Sequence, residues 1–404
     1  MEYIPLSKLY YRDLRQYEET YNSRFNSECA VHLDFLIHDH PAFFLELPDL
    51  LKAHIRIQNI DKKVYSVCQV LPPAALKQFR NRCLVEEIVL TNNIEGVYST
   101  RREIGELLED LENRSRRNRF YGLVQKYVML TRSPNLPLSS CQDIRNIYND
   151  LVLPEVLEAD PEDAPDGEIF RKGPVSVENA AQKEIHRGLY PEAAILSAMD
   201  KALAILNDES ILPLFRVGVF HYLFGYIHPF YEGNGRTSRF ISSYLLSLAF
   251  ESILGYRLSY TIKENIKKYY DAFKLCNDPR NKGDITPFLL MFVEMIELSI
   301  RHLLDALDER QSRLDHYHQY IEHLPEGKDN AELYSYLIQA TLFSVDGISK
   351  KDLATLLHIS ETTLVKRLRP LINAGLLIRE KPSRKVYYRL DLDALDQRYS
   401  ALFS

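Results

Sequence analysis

The sequence predicts a mainly α protein with a separate small module at its C-terminus. Three observations carry this. Apolar residues recur with helical spacing through much of residues 1–300, as at Leu84, Val85, Ile88 and Val89. The stretch from Leu212 to Ile227 is apolar nearly all round, which suits a buried central helix. After the linker-like Leu324-Pro325-Glu326-Gly327-Lys328-Asp329-Asn330, the rhythm changes to short helices and a candidate strand pair. The expected division is an N-terminal helical region (1–98), a helical domain (99–300), a helical connector and linker (301–330) and the C-terminal module (331–404).

In the first region, His38-Asp39-His40 stands before Pro41 with no further ligand cluster nearby, so it reads as a solvated or satisfied pair rather than a metal site. The helix carrying Leu84 closes at Thr91-Asn92-Asn93-Ile94-Glu95-Gly96, with Gly96 as its C-terminal cap. Thr91 and Glu95 are four apart and share a face. Thr100-Arg101-Arg102-Glu103-Ile104 opens the next helix, and Asp143 to Tyr148 belongs to another. Asp160-Pro161-Glu162-Asp163-Ala164-Pro165-Asp166-Gly167 breaks the helical run. Ile169-Phe170-Arg171 and Val175-Ser176-Val177 then read as two extended pieces around the Gly173-Pro174 turn, a short hairpin in a helical domain. Asn265 to Phe273 is a further helix.

The chemistry concentrates in His228-Pro229-Phe230-Tyr231-Glu232-Gly233-Asn234-Gly235-Arg236-Thr237-Ser238-Arg239. Gly233 and Gly235 bracket Asn234, and glycine lets backbone approach a ligand closely. Successive N–H groups in such a turn form a nest for anions. The turn feeds a helix N-terminus, which also favours negative charge. Arg236 and Arg239 are three apart on one face, and each can make bidentate contacts to phosphate. Glu232 is placed to hold a divalent cation between phosphates. His228 is suited to take a proton near neutral pH. Neither the Gly-x-x-x-x-Gly-Lys-Ser/Thr loop nor a complete dinucleotide fingerprint is present.

This segment resembles the signature of the Fic family, His-Pro-Phe-x-Asp/Glu-Gly-Asn-Gly-Arg-x-x-Arg, at every specified position. The resemblance implies a Fic helical core, with the short hairpin as the flap over its active site. It also implies transfer of AMP from ATP to a hydroxyl side chain of a target protein. His228 would deprotonate that hydroxyl, Phe230 would anchor the loop and Glu232 would bind magnesium. Gly233, Asn234 and Gly235 would cradle the α- and β-phosphates. Arg236 would contact the β-phosphate and Arg239 the γ-phosphate. The target would dock on the flap by strand addition. Thr91-to-Gly96 resembles the family's inhibitory motif, Ser/Thr-x-x-x-Glu-Gly/Asn, which implies that Glu95 pairs with Arg239 and takes the place of the γ-phosphate. In a related reading Glu95 orients water and the enzyme removes AMP. The Tyr269-Tyr270 pair also resembles the family and could wall the adenine or pack in the core.

In the C-terminal module, Leu333 to Leu337 starts one helix, Ser349 to Leu357 forms a second, and Ser360 caps a third through Leu368. Ala374 to Arg379 and Val386 to Leu390 form a strand pair around Pro382-Ser383. This resembles a winged helix-turn-helix, offering Thr362, Thr363, Lys366 and Arg367 to a DNA groove and Lys381, Arg384 and Lys385 to phosphates. Pro370 should bend or end the third helix, and Glu361 and Glu380 dilute the basic surface. Winged helices also dock proteins or dimerise, which keeps a protein partner and a homodimer among the expectations.

A chain of 404 residues with 46% hydrophobic content builds two or three domains, and a net charge of −6 gives no global sign of nucleic-acid or membrane binding. The five cysteines are scattered, without a Cys-x-x-Cys, which favours a reducing compartment. No signal-peptide pattern and no membrane-spanning apolar run is seen, so a cytoplasmic protein is expected. The leading expectation is a protein adenylyltransferase using ATP and magnesium, autoinhibited by Glu95. The alternatives are an enzyme that removes AMP and a nucleotide-sensing DNA-binding regulator.

Overall fold

The computed structural model describes residues 3–109, 111, 118–130, 135–178, 184–325, 327–381 and 385–399. The chain forms two compact units, Met1–Lys62 with Leu84–Arg301, and Lys63–Cys83 with His302–Ser404. Both are mainly α. Among the described residues, no helix is long and apolar enough to cross a membrane.

The first unit is built round the helix Pro213–Ile227, buried on nearly every side. An apolar sequence with no polar face has no stable position at a surface, so it becomes the centre of the core. The helices Glu192–Leu206 and Asn234–Ala249 pack against it. Phe273, Phe288 and Phe292 cover its middle, through ring contacts with His221 and Tyr222. The upstream helix runs from Pro73 to Ile94, and Gly96 beyond it adopts φ +75°, a left-handed conformation open to glycine.

Two sequence expectations need correction here. The N-terminal region holds an antiparallel hairpin, Ala30–Ile37 with His40–Leu45, where only helix was expected. Leu33, Phe35 and Ile37 are buried while His32, Asp34 and Leu36 face out, a period of two that marks a half-buried strand. His38 lies at its turn with φ +53°, and its ring contacts the Asn277 carbonyl at 2.9 Å. The second correction concerns the later hairpin. Its arms are Ser176–Glu178 and Glu184–Arg187, not 169–171 and 175–177. Ile169 and Phe170 cannot pair as a strand because the Glu192 carboxylate accepts their N–H groups at 2.8 and 2.9 Å.

The second unit includes the helix Ala331–Phe343, the strand Ile348–Ser349, the helices Lys350–Leu356 and Glu361–Asn373, the strands Leu377–Glu380 and Tyr387–Leu390, and the helix Leu392–Tyr399. The three strands form one sheet with Tyr387–Leu390 in the middle. Ser349 and Ser360 cap their helices by accepting N–H bonds from Asp352 and Thr363 at 3.1 Å each. Pro370 does not end its helix, which continues to Asn373. Losing one N–H near a C-terminus is tolerated when Leu364, Leu368 and Leu371 anchor the buried face. Arg384, Pro382 and Ser383 lie outside the described residues.

Candidate active site

The central helix ends at Ile227, and His228 caps it in a left-handed conformation, φ 53° and ψ 63°. Such a conformation at a non-glycine residue is strained by about 1–3 kcal/mol and needs surrounding support. The His228 N–H donates to the Phe224 carbonyl at 2.9 Å, and its own carbonyl accepts from the Arg171 guanidinium at 2.8 and 3.0 Å. Burial pushes the imidazole down to about 4, His186 and Arg171 add to this, and Glu95 opposes it. The ring is therefore neutral at pH 7 and can accept a proton.

The loop that follows is anchored from inside. Phe230 is fully buried, stacked on Tyr148 at 3.7 Å between ring centroids. The Asn234 side chain accepts from the Phe230 N–H at 2.9 Å and donates to its carbonyl at 2.8 Å. Its amide thus fastens the turn, and only its backbone is left to face a ligand. Gly233 has φ +80°, and a Cβ there would lie 2.3 Å from a Val152 methyl, so any side chain would strain the backbone and displace Val152. The helix Asn234–Ala249 makes its first intrahelical bond from the Thr237 N–H to the Gly233 carbonyl. The N–H groups of Asn234, Gly235 and Arg236 therefore fall in the unpaired first turn. This is the turn where the sequence predicts an anion nest.

Carboxylates stand against both arginines. Arg239 Nη2 lies 2.9 Å from Glu95 Oε1, with the arginine side chain 1% exposed. Thr91 holds the same guanidinium, its hydroxyl accepting from Nε at 2.8 Å and its carbonyl from Nη2 at 3.0 Å. Burial opposes the charge of Arg239, but Glu95 and Tyr269 together hold its pKa above the ordinary value. A Cβ on Gly235 would sit 2.3 Å from Glu95 Oε1, so the carboxylate rests directly on this turn. Arg236 Nη1 lies 2.5 Å from Glu155 Oε2, and Arg236 Nε is buried with no acceptor among the described residues. Glu232 is exposed overall, yet its carboxyl is pushed up by desolvation, then by Asp163 and Glu95.

Behind Arg239 lies a closed polar network. His221 contacts Ser242 at 2.8 Å and Ser238 at 3.2 Å through Nδ1, and the Tyr269 hydroxyl at 2.8 Å through Nε2. Burial pushes this imidazole down to about 3, so it is neutral and structural. Tyr269 is buried, while Tyr270 is 42% exposed and alone of the two has a free face. Three residues at the site carried no sequence signal: Glu155, Arg171 and Glu87. Glu87 shares the face of Thr91, and its carboxylate accepts from the Ser259 N–H and hydroxyl, locking the upstream helix to the start of the helix Leu258–Glu264.

A neutral histidine, an unpaired helix N-terminus and two buried arginines therefore lie together on a helical fold. Residues 138–246 match the family model described as Fic/DOC family. The chain is 26% identical over 253 residues to the protein adenylyltransferase Fic of Drosophila ananassae, covering 61% of this chain and 47% of that protein. It is 27% identical over 262 residues to the protein of the same name from Culex quinquefasciatus, covering 63% and 48%. The chain spans about half the length of these curated relatives. A solved Fic family protein from Desulfovibrio desulfuricans G20 aligns with a TM-score of 0.49 and 21% identity, over 85% of this chain and 96% of that one.

Proposed function

We propose that this chain is a protein adenylyltransferase, transferring AMP from ATP to a hydroxyl side chain of a target protein and held off by Glu95. The observation that carries the reading is the Glu95–Arg239 ion pair lying on Gly235, beside a neutral His228. The nest at 233–235 would receive the α- and β-phosphates, with Arg236 and Arg239 taking the outer ones. His228 would accept the proton of the target hydroxyl as its oxygen forms a bond to the α-phosphorus and the bond to pyrophosphate breaks. Glu95 on Arg239 occupies the room that a γ-phosphate needs. ATP would then bind with its phosphates displaced, and about 1 Å of misplacement costs ~100-fold in rate.

The donor set fits magnesium held largely by the nucleotide. Among the described residues there is no cluster of three metal-ligating side chains, and Glu232 is one carboxylate crowded by Asp163 and Glu95. Magnesium takes oxygen ligands and keeps several waters, so one carboxylate with phosphates suffices. When bound, the ion would neutralise charge developing on the leaving pyrophosphate. The edge of the 176–187 hairpin would take an extended segment of the target.

Wild type, Glu95→Gly and Glu95→Gly/His228→Ala are incubated with labelled ATP and magnesium and their intact masses recorded. One added AMP in Glu95→Gly, little in wild type and none in the double variant is the expected result. ATP binding without any adduct would move the reading to AMP removal, to a different donor or to a nucleotide-sensing DNA-binding regulator. For the C-terminal unit we propose a winged helix, on the strength of Thr362, Thr363, Lys366 and Arg367 all facing solvent on the helix Glu361–Asn373. Salt-sensitive duplex binding dependent on Lys366 and Arg367 would favour DNA. Its absence would favour a protein partner or self-association.

A further inference from the structure

We infer that Arg171 is a positioning residue that couples the target-docking hairpin to the catalytic base, one buried guanidinium tying both feet of the hairpin to the backbone of His228. The inference rests on the AMP-transfer reading for the roles of hairpin and base.

Arg171 has no exposed surface and makes no ion pair among the described residues. Burying an arginine without a carboxylate is costly, and a residue needed only for packing would be apolar. Its N–H groups go instead to three carbonyls. Nε and Nη2 donate to His228 at 3.0 and 2.8 Å, Nη2 also to Leu189 at 2.9 Å, and Nη1 to Gly173. Gly173 and Leu189 are the points where the chain enters and leaves the hairpin. The Gly188 N–H closes the base by donating to the Val175 carbonyl at 3.0 Å, and the Leu189 N–H reaches the Ile227 carbonyl at 3.1 Å.

His228 gives the contact its consequence. A left-handed residue points its carbonyl away from the helix it ends, and Arg171 supplies the donors that hold it there. The imidazole and the docking strand therefore share one hydrogen-bonded frame. The nucleotide residues from Gly233 to Arg239 lie outside that frame. Loss of Arg171 should misplace the base against the target hydroxyl and leave the phosphate site as it was.

The test uses the full chain with Glu95→Gly as parent. Arg171→Met and Arg171→Lys are added to it, and kcat for AMP transfer, KM for ATP and the His228 imidazole titration by NMR are measured. We expect kcat to fall on the order of 100-fold in Arg171→Met with KM for ATP within about threefold. Arg171→Lys should recover part of the loss, since an ammonium can still serve one or two of the carbonyls. The groups that face His228 are His186, Arg171, Glu95 and the Gly225 backbone. With Glu95 already removed, loss of the Arg171 charge should raise the titration midpoint. Should Arg171→Met fail to fold, Gly188→Ala presses on the same contact, because its Cβ would lie 2.4 Å from Arg171 Nη2 and 2.9 Å from His228 Cβ. That variant should show the same selective loss of kcat. Transfer within about threefold of the parent in the folded variants, or KM for ATP rising in step with the loss of kcat, would overturn the inference. A parent that transfers no AMP would refute the AMP-transfer reading instead. The coupling would then stand or fall on whether the His228 midpoint moves in Arg171→Met.

Discussion

Glu155 and Arg236 offer a quantitative probe of the phosphate site. Their side chains are 7% and 3% exposed, and the charged atoms are 2.5 Å apart. At an effective dielectric of ~20 the gross attraction is about 7 kcal/mol, most of which offsets the desolvation of two buried ions. Removing one partner strands the other, at a cost of roughly 3–5 kcal/mol. Glu155→Ala and Arg236→Met should therefore each destabilise strongly. The Glu155→Ala/Arg236→Met pair should lose far less than the sum of the two, because removing both members of a buried ion pair leaves no stranded charge. Urea unfolding followed by circular dichroism gives the three differences and hence the coupling. The same variants report on function. If Arg236 exchanges Glu155 for phosphate when nucleotide binds, Glu155→Ala should bind ATP more tightly than wild type, and saturating ATP with magnesium should restore more of its lost stability. A coupling below about 0.5 kcal/mol would show that the contact carries no energy. Unchanged ATP affinity would show that Arg236 keeps its place and reads no phosphate.

Two further predictions concern pH. The His228 imidazole, at about 4 in the folded protein, lies below its ordinary ~6.5, so kcat/KM for transfer by Glu95→Gly should be flat near neutrality and fall only as pH approaches 4. A limb centred near ~6.5 would contradict the burial argument. Glu87 has the opposite sign. Burial raises its carboxyl to about 7, against Ser259, Arg239 and Arg257. A folded-state value above the unfolded one means that stability is highest below the ordinary carboxylate range and is lost as pH rises through about 7. Glu87→Gln should flatten that decline, read as urea midpoints at pH 5 and pH 8. An equal decline in both proteins would place the titration elsewhere.

Much of the site was legible because its parts are contiguous. His228 to Arg239 is one segment, so turn chemistry, helix start and arginine spacing could be read from local rules, as could the apolar helix before it and the cap at Gly96. The Glu95–Arg239 contact was suggested only by the resemblance of two motifs, since nothing local joins residues 144 positions apart. The N-terminal hairpin was missed because Leu36 breaks the polar alternation, although Leu33, Phe35 and Ile37 recur with the period of two that marks a strand. The later hairpin was misplaced because Ile169 and Phe170 have strand-like side chains, while the carboxylate that claims their N–H groups comes from Glu192, far along the chain. Glu155 and Arg171 stood out in no window of sequence. Their partners, Arg236 and the carbonyl of His228, become neighbours only when the helices pack. The sequence by itself determined the backbone preferences, the apolar faces and the chemical inventory of the signature, because these depend on a residue and its near neighbours. Tertiary structure alone decided which buried charge meets which carboxylate or carbonyl, because burial removes water as the default partner and leaves the choice to whatever the fold brings within reach.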